Sequence, residues 1–378
     1  MRYFIVAAEA SGDVLGADLI RALRTRDPEA VFAGVGAARM SDEGVASIVE
    51  IAKLSVLGIV DTWKAYPRAV RAADDTAAAA VEFKPDVAVL IDSWGFTIRV
   101  AQRLRRMLPG VPLVKYIGPQ VWATRPERAK QLAETVDHLI CMHDFEVPFY
   151  APHGLACTVC GHPAIGRYTP GDGAGFRARH GIKNDQPLLL VLPGSRRSEV
   201  RRIAPTLWAA AERLQAQIPD LRVMSVAAGS VAPLVRLETP SFVKIVAEDE
   251  KDDAFAAATA AIACSGTVTT EVALQGAPII AGYRVGWFTW VLARLFFYRA
   301  PFMTLLNVAA QREVAPEFIQ TRFTAEIVAA AAAPLLTDAT VRAAQVDAQN
   351  EALQKMGRGG RPASEIAADA VMQALRRA

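Results

Sequence analysis

The stretch DVAVLIDSWGF, residues 86–96, carries an apolar run of Val87, Val89, Leu90 and Ile91 that stops on one carboxylate, Asp92. An acid at the end of an apolar strand can cap a helix, ligate a metal or take a proton as a general base. The helical pattern resumes only near Ile98, which argues against capping. No His, Cys or second acid adjoins Asp92, which argues against a metal. What remains is a carboxylate at the mouth of a sheet.

Three further stretches lie where a strand-like run gives way to a helical one. In AEASGDVLGA, residues 8–17, small residues let a ligand approach the backbone, and a helix N-terminus favours an anion or an acceptor oxygen. Glu9, Ser11 and Gly12 are its candidate substrate contacts; the competing reading makes Ser11 and Asp13 helix caps. The three-glycine spacing of a dinucleotide fingerprint is absent. In VLPGSRRSEV, residues 191–200, Gly194 and Ser195 offer backbone N–H groups to phosphate oxygens. Arg196 there adds a charged, bidentate-capable donor. The alternative is Ser195 as a cap, with Arg196 and Arg197 solvated. In CSGTVTTE, residues 264–271, Ser265, Gly266 and Thr267 open another helix, and Glu271 one turn on can accept hydrogen bonds from ribose hydroxyls. The last two loops together suggest a nucleotide diphosphate site.

Other stretches are less specific. Cys157 and Cys160 in CTVCGHP have zinc-ligand spacing, with His153 and His162 nearby, but one such pair without a second reads as ordinary thiols. Residues 283–307 are dense in Trp, Phe and Leu, with Arg284, Arg294 and Arg299 interspersed. Such a mixture suits a membrane headgroup boundary, a greasy groove or a core helix. In NVAAQREVAPEFIQ, Arg312 and Glu313 read as surface charges and Asn307 as a cap.

The elements that position these residues alternate. RYFIVAA, VFAGVG, DVAVLI, VPLVKYIG and HLICM read as strands, separated by helical runs such as the one carrying Leu15, Leu19, Ile20 and Leu23. A second series begins near 187 with PLLLVLPGS and continues through LRVMSVAAG, FVKIVAE, AAIACSG and APIIAGY. Strands alternating with helices imply parallel sheets covered on both faces. The expected fold is therefore α/β, with two Rossmann-like doubly wound domains facing a cleft. Their expected bounds are 1–165 and 180–345, joined by a Gly-rich linker at 165–181. A helical tail over 346–378 is expected to pack on the first domain or on a partner subunit.

Length and composition fit this. The chain has 378 residues, 52% hydrophobic and 21% charged, with a net charge of +3. That is too long for one ordinary core, and neither disordered nor basic enough to imply nucleic acid. Four cysteines without a framework spacing suggest a reducing, cytoplasmic setting. The apolar run in MRYFIVAAEASGD is shorter than the roughly 7–15 residues of a signal core and reads as a first strand. No run reaches the roughly 18 uncharged apolar residues of a membrane span.

Nine stretches in register resemble the lipid-A-disaccharide synthase family of inverting glycosyltransferases: EASGD, GIVD, KPDVAVLIDSWGF, GPQVWATR, GHP, LPGSR, SGTVTTE, GYRVGWFTWVLAR and LNVAAQREVAPE. They cover nearly the whole chain. The resemblance implies a GT-B architecture. It also implies transfer of the sugar of UDP-2,3-diacylglucosamine to 2,3-diacylglucosamine 1-phosphate (lipid X), giving a β-1,6 disaccharide 1-phosphate and UDP. It places the protein on the cytoplasmic face of the inner membrane as a peripheral protein. It leaves a homodimer open and needs no cofactor, and no metal is expected for the chemistry.

By position, Asp92 matches the family's proposed catalytic base, Arg196 and Asn307 match residues important for activity, and Glu271 matches the nucleotide-motif acid. Arg312 and Glu313 join Glu9, Ser11 and Gly12 as substrate-binding candidates. Ala8, Trp94 with Gly95, and Leu306 depart from the usual pattern. The alternative is a UDP-N-acetylglucosamine 2-epimerase-like isomerase of the same architecture, which would not need residues 283–306 to be so aromatic. A third reading is a membrane-surface protein that binds nucleotide sugars without turnover.

Overall fold

The computed structural model describes residues 1–50, 59–229, 231–286 and 301–377, and the side chains of all these except 59–66. The chain divides into two compact units. One is Met1–Gly166 with Gly359–Ala378, and the other is Arg167–Arg358.

The first unit carries β1 (Arg2–Ala7), α1 (Ala10–Arg26), β2 (Val31–Val35), α2 (Ala38–Asp42), α3 (Ile59–Phe83) and β3 (Val87–Ile91). It continues with α4 (Trp94–Met107), β4 (Leu113–Tyr116), α5 (Arg128–Ala133), β5 (His138–Cys141), α6 (Val147–Tyr150) and β6 (Ala156–Val159). Its six strands pair in parallel in the order β2-β1-β3-β4-β5-β6. Central strands buried on both faces read as unbroken apolar runs, and every residue of β3 is buried. Alternate side chains go to opposite faces. Tyr3, Ile5, Val89 and Val114 meet Leu19, Ile20 and Leu23 of α1 and Ala367 and Val371 of the helix Ala363–Arg377. Phe4, Val6, Leu90 and Leu113 meet Ala73 and Ala77 of α3 and Val100 and Leu104 of α4.

The second unit carries α7 (Gly173–Arg179), β7 (Leu188–Leu192), α8 (Arg197–Gln217), β8 (Arg222–Val226), α9 (Ala232–Glu238) and β9 (Lys244–Val246). It then carries α10 (Lys251–Ala257), β10 (Ala260–Cys264), α11 (Thr267–Leu274), β11 (Ile279–Tyr283) and β12 (Glu317–Ile319). These strands are also all parallel, in the order β12-β11-β10-β7-β8-β9. Trp208, Leu207 and Leu214 of α8 pack with Leu335 and Leu336 over Leu189, Val191 and Ile262.

The chain is thus α/β with two doubly wound parallel sheets. Some local expectations change. The stretch 165–181, read as a linker, holds α7, whose start is capped by Asp172 accepting from the Gly175 N–H at 2.8 Å, and α7 packs on α10. Cys157 lies in a sixth strand, which the expected series does not include. Helix α4 begins at Trp94, four residues before the periodicity shows it, because Trp94 and Phe96 are recruited by packing rather than by pattern. The Ala-rich C-terminal segment forms Ala325–Thr337 and Ala339–Lys355 within the second unit, and the return to the first unit comes at Gly359. No single described helix is long and apolar enough to cross a membrane.

Candidate active site

In an open parallel sheet the ligand crevice lies beyond the carboxyl ends of the strands, where the strand order reverses. The first sheet reverses between β1 and β3, paired so that Ala7 lies beside Ile91. The second reverses between β7 and β10, with Leu192 beside Ala263. The residues that follow these four strand ends are Glu9–Gly12, Asp92, Gly194–Arg196 and Ser265–Thr267. Every stretch singled out as a strand-to-helix loop therefore sits at a switch point.

At the first switch point Asp92 is half-buried. It has φ +46°, and Ser93 has φ +36°. Two consecutive side-chain-bearing residues in the left-handed region cost about 1–3 kcal/mol each, so the surroundings must hold them there. They do so through the backbone: the Asp92 N–H donates to the Tyr116 carbonyl at 3.0 Å, and the Thr97 hydroxyl lies 2.8 Å from the Asp92 carbonyl. Ser93 stands at the N-cap of α4 without a side-chain cap bond, so nearness to a helix start does not make Asp92 a cap. The Ser11 hydroxyl reaches the Asp92 carboxylate at 3.5 Å, and Glu9 is exposed at the N-cap of α1.

Gly12 and Asp13 have other work. A Cβ on Gly12 would lie 3.3 Å from that of Ala7 and 3.6 Å from Ile91, so this glycine lets α1 seat on the strand ends. Asp13, a cap of its own helix in the competing reading, is buried and accepts from the N–H groups of Ala37, Arg39 and Met40 at 2.6, 2.9 and 3.1 Å, capping α2 instead.

Sequence reasoning missed Lys115. It is 3% exposed, in β4, and its ammonium donates to the Asp92 carbonyl and, at 2.8 Å, to the Thr97 hydroxyl. Burial pulls its pKa down to about 7 against the opposing pull of the Asp92 and Glu9 carboxylates. The available signal was a lone cation inside the apolar run PLVKYIG. Arg128 lies over the Trp94 ring at 5.2 Å, so the departure at Trp94 meets the first residue of α5, three positions beyond the end of GPQVWATR.

At the second switch point a pocket of about 390 Å³ is lined by Gly194, Ser195, Arg196, Ser265, Gly266, Thr267 and Glu271, joined by Glu199, Glu248 and Lys251. Gly194 has φ +116°, and a Cβ there would strike Glu199 at 2.9 Å. One expectation is corrected. The Ser195 N–H is not open to a phosphate, because the Glu199 carboxylate takes it and the Arg196 N–H, both at 3.2 Å. Glu199 also pairs with the Arg196 guanidinium at 2.6 Å, which raises the pKa of Arg196. This is one half of a capping box: Glu199, three residues after Arg196, accepts from the N-cap N–H at the start of α8, and the Arg196 side chain, a donor only, makes no return bond. Thr267 and Val268, which open α11, line the pocket, and the first N–H groups of a helix have no partner within it; that of Thr269 goes to the Gly266 carbonyl at 3.2 Å. Glu271 pairs with Lys251 at 2.9 Å; burial pulls the lysine pKa down, and the bond and charge of Glu271 outweigh it.

Asn307 is fully buried. Its amide donates to the Ala315 carbonyl at 2.8 Å and accepts from the N–H groups of Val314 and Ala315 at 2.7 and 2.9 Å. It holds main chain rather than capping a helix. Arg312 is exposed and paired with Glu351 at 2.6 Å, and Glu313 is exposed. Most of the aromatic stretch, residues 287–300, lies outside the described residues. Cys141, Cys157, Cys160 and Cys264 are free thiols. Among the described residues no three His, Cys, Asp or Glu side chains are grouped to hold a metal ion.

The family model for lipid-A-disaccharide synthetase matches residues 3–371 of this chain. The lipid-A-disaccharide synthase of Rhodospirillum centenum is 39% identical over 378 residues, covering 98% of this chain and 94% of that protein. That of Myxococcus xanthus is 34% identical over 382 residues, covering 99% and 97%. Among solved structures, the UDP-GlcNAc 2-epimerase from Neisseria meningitidis bound to UDP-GlcNAc superposes with a TM-score of 0.57 at 10% identity, covering all of both chains. The spinosyn rhamnosyltransferase SpnG gives a TM-score of 0.56 at 14% identity, also covering all of both. At these identities the structural likeness speaks for the fold, and an epimerase activity finds no support beyond it.

Proposed function

The chain belongs to the lipid-A-disaccharide synthase family, and from that premise we propose which of its residues carry out the glycosyl transfer. The protein is a glycosyltransferase of lipid A biosynthesis, acting on a sugar nucleotide and a lipid. The donor in our reading is UDP-2,3-diacylglucosamine and the acceptor is 2,3-diacylglucosamine 1-phosphate. Asp92 takes the proton from the acceptor 6-hydroxyl as that oxygen attacks the donor's anomeric carbon. The bond from that carbon to the UDP oxygen breaks as the new one forms, with inversion. Negative charge grows on the leaving diphosphate, and Arg196 with the N–H groups opening α11 meets it. Lys251 adds a second cation in the same pocket. Glu199 must give up at least part of its hold on Arg196 for this. Protein donors then stand where a divalent ion otherwise would.

The observation that carries this reading is the place of Asp92: a carboxylate held in a left-handed turn at the carboxyl end of β3, at the first sheet's switch point. A strained, backbone-anchored acid at that position is costly unless its direction matters. Both substrates carry acyl chains, so we place the protein at a membrane surface on the cytoplasmic side.

The test is UDP release with both substrates present. Asp92→Asn should lower turnover by at least about 100-fold, within the range of general-base contributions, with UDP affinity unchanged within twofold. A chelator should leave the wild-type rate where it is. Wild-type turnover by Asp92→Asn would remove the base assignment. Release of UDP, or epimerisation, without the acceptor would favour the isomerase.

A further inference from the structure

We propose that Lys115 is a positioning residue for the transfer: its side-chain nitrogen anchors the carbonyl of the Asp92–Ser93 turn and so fixes the direction of the Asp92 carboxylate. The inference rests on the reading of Asp92 as the base.

The geometry is specific. Lys115 lies on β4, the strand next to β3, and shares the face of Leu113, which packs under α3 and α4. Its stem crosses that apolar layer, and its nitrogen arrives at the end of β3, bonded to the Asp92 carbonyl and to Thr97 in the first turn of α4. One amine thereby ties the strand end, the left-handed turn and the helix start together. The charged groups that act on it are the Asp92 and Glu9 carboxylates, the two acids at the switch point.

Stability alone does not account for this residue. The Thr97 hydroxyl lies 2.8 Å from the Asp92 carbonyl, nearer than its 3.0 Å to the Ser93 carbonyl, so removing the amine leaves the Asp92 carbonyl a donor within reach. Burying an ammonium among apolar side chains is costly, and a thioether of similar length fills the same space without that cost. A lysine kept where a methionine would stabilise the fold points to a task in the site.

The experiment compares Lys115→Met, Lys115→Gln and Asp92→Asn with wild type. UDP release from UDP-diacylglucosamine with lipid X is followed alongside calorimetric UDP binding and thermal unfolding. Lys115→Met should lower kcat tenfold or more, leave the donor KM and UDP affinity within twofold, and melt at or above the wild-type temperature. Lys115→Gln, which restores a donor without a charge, should recover part of kcat. If Lys115→Met does not fold, Lys115→Gln decides on the same split. Lys115→Met with kcat within twofold of wild type overturns the proposal while an inactive Asp92→Asn leaves the base reading standing. A fall of melting temperature, UDP affinity and kcat together also overturns it, because that marks a structural residue. An active Asp92→Asn removes the base reading and this inference with it.

Discussion

Asp92 acquires its direction from neighbours that are distant in sequence. Its N–H is tied to Tyr116 and its carbonyl to Thr97 and Lys115, which leaves the carboxylate as the one part of the residue turned toward Ser11. The buried Lys115 also links stability to pH. Its folded value, about 7, lies below the ordinary 10.5. Between those values the unfolded chain binds the proton and the folded chain does not, so this group's contribution to stability rises with pH across that window. Below pH 7 both states are charged and the folded state bears the full cost of burial. The melting-temperature advantage of Lys115→Met over wild type should therefore shrink from pH 7 to pH 10. An advantage that is constant over that range would mean the amine is not titrating in the fold.

At the scale of elements, the site is made by four strand-to-helix joints, and their close packing has its own requirements. Helix α1 can reach the ends of β1 and β3 because position 12 has no side chain. The short α2 depends on α1 in turn, since the buried Asp13 satisfies three of its N–H groups. A five-residue helix is too short to hold itself, so the cap is most of what fixes it. Asp13→Ala would leave those donors unpaired near the core and should destabilise the first unit by about 2–3 kcal/mol in denaturant unfolding. A change under about 0.5 kcal/mol would place the residue among ordinary surface acids. In the second unit the same economy is visible at α8, where Glu199 caps the helix and neutralises Arg196 with one carboxylate.

At the scale of the whole molecule, the chain leaves its first unit at Gly166 and returns at Gly359 to finish it. The returning helix Ala363–Arg377 buries Ala367, Ala368, Ala370 and Val371 against α1 and the face of β3, β4, β5 and β6. Its N-terminal side is fastened by Arg26, which pairs with Asp369 at 2.5 Å. Val371 is fully buried, so Val371→Asp places an unpaired carboxylate in that core. It should lower the first unit's stability by about 4 kcal/mol, and calorimetry should show one transition moving down and the other unchanged. A single shifted transition would mean that the two units unfold as one.

The sequence by itself determined the alternation of strands and helices, the parallel sheets that follow from it, the loops that carry chemistry and the family. These depend on local periodicity and on residues adjacent in the chain. It did not show that Asp13 caps α2, that α4 begins at Trp94, that 165–181 holds a helix, that Asn307 is sealed beneath Val314 and Ala315, or that Glu199 occupies the Ser195 N–H. Nor did it single out Lys115. Each of these depends on which side chain fills a space, or meets an unpaired backbone group, opened by another part of the chain. Pattern assigns an element, but only the assembled sheet decides that a lysine on β4 comes to rest under the turn that carries Asp92.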